Sequence, residues 1–282
     1  MRGWWQDLTD LVLPAECGGC GTPRTVLCPG CRAALNGAAP SRVRPVPEPC
    51  GLPPVHAAAP YTDEVRAVLL AHKERGALPL ARPLGTALAA VVRAALHERQ
   101  AAREGISAGR GEPPVVLVPV PSAAWAVRSR GHDPVRRMAL AAAGELRRTG
   151  MSARVAGVLR QRRAVADQSG LDSRQRLANV RGALEVVAGG TRLLAGSRVV
   201  LVDDLMTTGA SLTEAARAVW AVRPVYARAT REGRGERTAG PRKETHGRVL
   251  GEPGITEVNA VVRSVRAAVI AAPPDSFEMN RN

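Results

Sequence analysis

The sequence predicts an α/β chain: a mostly parallel sheet flanked by helices, preceded by a small cysteine-rich module. Three observations carry this. Val115-Val116-Leu117-Val118 is an unbroken apolar run, followed by a helical stretch from Asp133 to Arg148. Arg198 to Val202 is a second such run, β-branched and free of charge after its first residue, and leads through a polar turn into a helix from Ser211 to Val222. Strands alternating with helices imply βαβ units. All five cysteines fall between Cys17 and Cys50, in a stretch rich in Pro and Gly.

The other elements follow in order. Trp4, Trp5, Leu8, Leu11 and Val12 repeat with helical spacing, so residues 4–13 read as a short amphipathic helix ended by Pro14. Residues 15–58 have little periodicity and too few apolar residues for a core of their own. From Tyr61 the pattern turns helical, with Val65, Val68, Leu69 and His72 on one face, and a second apolar helix covers about Leu84 to Leu96. Residues 98–113 read as a loop. Asp133 is placed to cap the next helix, with Pro134 at its first position. Arg154 to Leu159 reads as a strand and Ala183 to Val187 as a short one, while residues 160–182 show no period. Residues 223–262 read as a flexible insertion before a last strand, Val265 to Ala272. The expected division is residues 1–58 for the N-terminal helix and cysteine module, and 59–282 for the α/β domain.

Composition narrows the classes. Hydrophobic residues make up 45% of the 282 and aromatics 2%, so the core must be built from Ala, Val and Leu. The formal net charge of +15 favours anionic partners such as phosphates or nucleic acid. Of 40 basic residues only Lys73 and Lys243 are lysine. That composition, with no G-x-x-x-x-G-K-[ST], argues against a P-loop, and no G-x-G-x-x-G is present. No apolar run approaches the roughly 18 residues of a membrane span. Asp7 and Asp10 interrupt the N-terminus, which is not read as a secretory signal, so the cytoplasm is the expected compartment.

The chemistry concentrates in Val199 to Leu212, which reads Val-Val-Leu-Val-Asp-Asp-Leu-Met-Thr-Thr-Gly-Ala-Ser-Leu. A buried strand ends in two carboxylates, Asp203 and Asp204, at the edge where open α/β sheets bind ligands. Thr207, Thr208, Gly209 and Ser211 then open a helix whose free N–H groups suit a phosphate. Acids beside an anion cup are reconciled by a sugar phosphate: carboxylates accept from sugar hydroxyls while the cup holds the phosphate.

This order resembles the phosphoribosyl pyrophosphate (PRPP) signature of type I phosphoribosyltransferases. The resemblance implies that fold, with Asp203 and Asp204 near the ribose hydroxyls and Met206, Thr207, Thr208, Gly209, Ala210 and Ser211 around the 5′-phosphate. Further motifs are Pro119-Val120-Pro121-Ser122, then Arg130-Gly131, Gln168-x-x-Leu171 and Arg176-x-x-Asn179-Val180-Arg181-Gly182-Ala183. Together they resemble the ComF/GntX family, which joins a zinc module to a phosphoribosyltransferase domain. The resemblance implies a pyrophosphate loop at the Val-Pro segment and a flexible loop over the site around Gln168 and Arg176. Arg128, Arg130, Arg174 and Arg176 become candidates to pair with pyrophosphate. It also implies Mg²⁺ bound with PRPP, transfer of ribose 5-phosphate to a nucleobase-like acceptor, and a link to natural competence and incoming single-stranded DNA. The alternative is a non-catalytic adaptor in DNA uptake that binds PRPP or single-stranded DNA. The chain departs from the family at Arg130-Gly131-His132-Asp133-Pro134, where Arg-Gly-Phe-Asn-Gln is usual.

Cys17-x-x-Cys20 and Cys28-x-x-Cys31 provide four thiolates suited to a structural, tetrahedral Zn²⁺. A redox dithiol would open a helix in a thioredoxin-like unit, and no such pattern is read after either pair. Cys50 is expected to be free.

Overall fold

The computed structural model describes residues 16–101, 112–163, 165, 170, 172–232 and 265–277. Strands β1 (Ser41–Val43), β2 (Val55–Pro60), β3 (Val115–Pro119), β4 (Ala153–Val155), β7 (Arg198–Leu205) and β8 (Val265–Ala272) form one six-stranded sheet in the order β1-β2-β8-β7-β3-β4. All neighbours pair parallel except β1 with β2. A separate antiparallel ribbon joins β5 (Leu159–Gln161) to β6 (Leu184–Val186). The helices are α1 (Pro29–Asn36), α2 (Asp63–Glu74), α3 (Ala81–Ala101), α4 (Ala124–Arg130), α5 (Pro134–Arg148), α6 (Ser173–Val180), α7 (Gly190–Leu194) and α8 (Ala210–Glu232).

The central strands are apolar throughout because both faces of the sheet are covered. Alternation sorts their side chains. Val115, Leu117, Val200, Val202 and Ile270 pack with α2, α3 and α5; Val116, Val118, Val199, Leu201 and Val269 pack with the ribbon and α8. Small residues let layers approach closely: a Cβ on Gly85 of α3 would collide with Ala141 of α5.

Several boundaries differ from the sequence reading. The expected division at residue 58 falls inside β2, and residues 41–43 and 55–60 are strands of the main sheet. Cys17, Leu27, Cys31 and Leu35 share one core with Val68, Leu80 and Leu84, so the cysteine segment is docked on the α/β body. The stretch Arg154 to Leu159 is split: β4 pairs with β3, whereas β5 leaves for the ribbon. Within 160–182 the chain forms α6, closed by a capping box in which the Asp172 carboxylate accepts Gln175 N–H at 2.8 Å and Gln175 Oε1 accepts Asp172 N–H at 2.9 Å. The helix predicted from Ser211 begins at Ala210 and runs to Glu232, taking in the first part of the stretch read as an insertion. The rest of that stretch, from 233, and the N-terminal helix at 4–13 lie outside the described residues. Among the described residues no helix is long and apolar enough to cross a membrane.

Candidate functional site

The sheet topology creates a crevice before any side chain is considered. From β3 the chain passes through α5 to β4 on one side; from β7 it enters α8, and β8 lies on the other side. The C-terminal ends of the adjacent strands β3 and β7 therefore sit where the strand order reverses, the point where open α/β sheets bind ligands. Pro119 is level with Val202, and Val120 N–H donates to Val202 O at 2.9 Å. The Pro119–Ser122 segment thus lies beside the acid pair that follows Val202.

Successive residues of β7 point to opposite faces. Asp203 lines a small concavity with Leu205 to Leu212, while Asp204 is nearly buried on the side of α2. There Lys73 Nζ donates to Asp204 Oδ2 at 2.7 Å. Burial and the charge of Asp204 raise the Asp203 carboxyl well above its ordinary value, against the pull of Lys73. Burial works against the Lys73 charge, but Asp204 outweighs it and the net shift is upward.

The loop after β7 is built by its backbone. Gly209 has φ +74°, in the left-handed region, and a Cβ there would lie 2.9 Å from Leu52 Cδ1. Only glycine fits both demands. Ala210 starts α8, whose first-turn N–H groups have no partner within the helix. Thr207 is exposed, and Thr208 and Ser211 are half-buried. Met206 contributes no free group: its side chain is in the core and its N–H donates to Ala271 O at 3.0 Å.

The predicted arginines divide. Arg176 on α6 reaches the loop, donating from Nη1 to Thr207 Oγ1 at 3.3 Å. Arg130 ends α4 and donates from Nε to Glu74 Oε2 at 2.8 Å, next to Lys73. Gly131, at φ +74°, caps α4 through its N–H to Val127 O. Arg128 and Arg174 are exposed on α4 and α6. Gln168 lies outside the described residues. The 130–134 segment is bolted to the end of α2: His132 Nε2 lies 3.1 Å from His72 O, and His72 Nε2 lies 3.3 Å from Pro134 O. Asp133 caps α5 as predicted, accepting Arg136 N–H at 3.0 Å.

Sequence reading missed Lys73. It stands 131 positions from Asp204, beyond any spacing rule. Its rarity as a lysine among 40 basic residues was the available signal.

A second site is formed by cysteine. The Sγ atoms of Cys17, Cys20, Cys28 and Cys31 all lie within 4.8 Å of one another. A tetrahedron with Zn–S of about 2.3 Å spaces sulfurs about 3.8 Å apart, so the cluster is suited to a metal ion of that kind. Main-chain donors turn toward sulfur: Cys28 N–H and Gly19 N–H to Cys17 Sγ at 3.3 and 3.5 Å, and Cys31 N–H to Cys28 Sγ at 3.4 Å. The second pair opens a short helix, with Cys28 capping α1, but the strand that follows it, β1, pairs antiparallel with β2, so the helix is not part of a thioredoxin-like βαβ unit. Thr22 beside Cys20 lowers that thiol to about 6, whereas burial and the neighbouring sulfurs push Cys31 up. Four adjacent sulfurs resist full ionisation without a cation among them. Cys50 is exposed and free.

No protein-family model matches the chain, and no curated protein matches it.

Proposed function

We propose that the protein is a phosphoribosyltransferase of the ComF/GntX kind with a type I fold. It would bind PRPP at the β3–β7 crevice and transfer ribose 5-phosphate to a nucleobase-like acceptor, with release of pyrophosphate. One observation carries the reading: at the reversal of strand order, an acid pair stands between an N–H-rich loop held by Gly209 and a cationic pair, Lys73 and Arg130. The loop suits a phosphate, the carboxylates suit sugar hydroxyls, and the cations suit a second anionic end.

The chain's own residues act by positioning. Thr207, Thr208, Ser211 and the first N–H groups of α8 hold the 5′-phosphate, and Arg176 closes over Thr207 from α6. Asp203 and Asp204 accept from the ribose hydroxyls and fix C1 against the acceptor. The bond from C1 to the diphosphate oxygen breaks with its electron pair leaving on pyrophosphate. The acceptor nitrogen bonds to C1 and releases its proton to solvent. Carboxylate oxygens are donors that suit Mg²⁺, so Asp203 and Asp204 would hold the ion, which supplies charge neutralisation for the diphosphate. The cysteine cluster would hold a structural Zn²⁺.

The test is calorimetric titration of PRPP with Mg²⁺ into wild type and Thr208→Val, followed by pyrophosphate release with a panel of nucleobases. Binding weakened by about 1–3 kcal/mol in the variant is expected, the scale of a hydrogen bond to a charged group. A wild type that ignores millimolar PRPP overturns the reading. Binding without release under any acceptor favours the adaptor.

A further inference from the structure

Lys73 is paired to Asp204 but not sealed in. Its side chain is 34% exposed against 10% for Asp204, so Lys73 is the more exposed partner of a nearly buried carboxylate. Arg130 and Asp203 are also charged neighbours of Lys73. Arg130 is tied by Glu74, the next residue on α2. Because Asp203 faces the loop and Asp204 faces α2, the site has an order across the sheet edge: N–H-rich loop, carboxylate pair, cation pair. A ligand that fills it has two anionic ends separated by hydroxyl donors.

The identity of the residue matters. An arginine fork would grip a carboxylate bidentately, whereas an ammonium on a four-carbon stem can let go of one oxygen and turn to another. In a chain whose basic residues are otherwise nearly all Arg, lysine stands at the position touching the acid pair.

We propose that Lys73 is an exchanging ligand-binding residue. It neutralises Asp204 in the empty site, and passes to the diphosphate end of the ligand when that end arrives. Asp204 is thereby freed for hydroxyl or metal. This rests on the function proposed above for its ligand, but it makes a separable claim: one side chain opposes binding of a bare divalent cation and favours binding of a diphosphate.

The experiment titrates the full chain with three probes: Mn²⁺ alone, inorganic pyrophosphate, and PRPP with Mg²⁺. The proteins are wild type, Lys73→Met, Lys73→Gln and the double variant Lys73→Met/Asp204→Asn. Both single variants are expected to weaken pyrophosphate and PRPP by about ten-fold or more, and to tighten Mn²⁺ by a similar factor. The double variant should lose the Mn²⁺ gain. A misfolded protein would lose all three together, so opposite signs identify the exchange. Pyrophosphate binding equal to wild type in both single variants, or no gain for Mn²⁺, overturns the proposal and leaves Lys73 a structural partner of Asp204. A wild type that binds pyrophosphate but ignores PRPP, with the opposite signs intact, overturns the phosphoribosyl reading and supports the role of Lys73. A wild type that ignores pyrophosphate overturns the proposal.

Discussion

The Glu214 carboxylate on α8 accepts the main-chain N–H of Leu184 at 2.9 Å. One buried acid thus ties the β5–β6 ribbon to the helix that begins at the candidate phosphate loop. The same carboxylate accepts two bonds at 2.8 Å from Arg217, which also donates to Leu184 O at 2.9 Å.

Burial alone would raise the Glu214 carboxyl, but Arg217 and the Leu184 N–H outweigh it and hold the group below its ordinary 4.5. A depressed native value means that the folded state favours the ionised form. The stabilisation is therefore present above pH 4.5 and is lost as pH falls through the lower native value. Glu214→Gln should cost about 1–3 kcal/mol at pH 7, and the gap from wild type should close under acid conditions. Denaturant melts at pH 7 and pH 3 measure both; a gap independent of pH contradicts the assignment.

Amides at the acid pair should act in opposite directions. The native Asp203 value is raised, so its neutral form is favoured at low pH and that advantage is lost as pH rises through the native value. Asp203→Asn should therefore raise Tm at pH 7 by about 2–4 °C, with less gain at pH 4. Asp204→Asn removes the partner of Lys73 and should lower stability by about 1–3 kcal/mol, with the pair's partial exposure limiting the loss. Both should abolish Mg²⁺-dependent PRPP binding. Equal Tm shifts would place the two carboxylates in equivalent surroundings, against the geometry.

Gly209→Ala should destabilise the chain by about 1–3 kcal/mol through its left-handed φ and the approach to Leu52. Leu52→Ala in the same chain should relieve the collision but not the backbone strain. A double variant that recovers only part of the loss is the expected result of thermal melts.

The cysteine cluster should carry about one Zn²⁺ per chain, measurable by elemental analysis. Cys28→Ser should release it. Because Cys31 packs against Val68 across Gly19, and Gly18 sits against Leu80, metal loss should loosen α1 and the adjoining face of α2. Hydrogen exchange should therefore rise across residues 63–74, whereas β3 and β7 stay protected. Unchanged exchange in α2 would mean that the segment folds without the metal.

The central strands were legible because short β-branched runs such as Val-Val-Leu-Val, set between polar turns, suit strands covered on both faces, and Asp133-Pro134 marked its helix by elementary capping chemistry. The edges were not. β2 reads Val-His-Ala-Ala-Ala-Pro, a run whose small side chains give no strand signature until β8 packs beside it. α6 was hidden by an Arg- and Gln-rich surface with little apolar period, although Asp172 and Gln175 spelled its capping box. At the site, the acid pair and loop were local in sequence and could be read as one motif. Lys73, Glu74 and the His72–His132 bolt arrive from α2 through tertiary packing, which no local pattern encodes.

The contact of Gly85 with Ala141 bears on how this fold accepts change. Where α3 crosses α5, backbone nearly touches methyl, and the layers owe their spacing to what is missing from the side chains. Such an architecture has some tolerance for lost volume and none for gained volume. Trimming Leu88 or Met138 leaves a void that closely set helices can partly close. Adding one methyl at Gly85 wedges two helices apart and shifts the sheet they share, with the crevice at its edge. Enlargement in this interface, more than truncation, should therefore be the mutation that silences a site it does not touch.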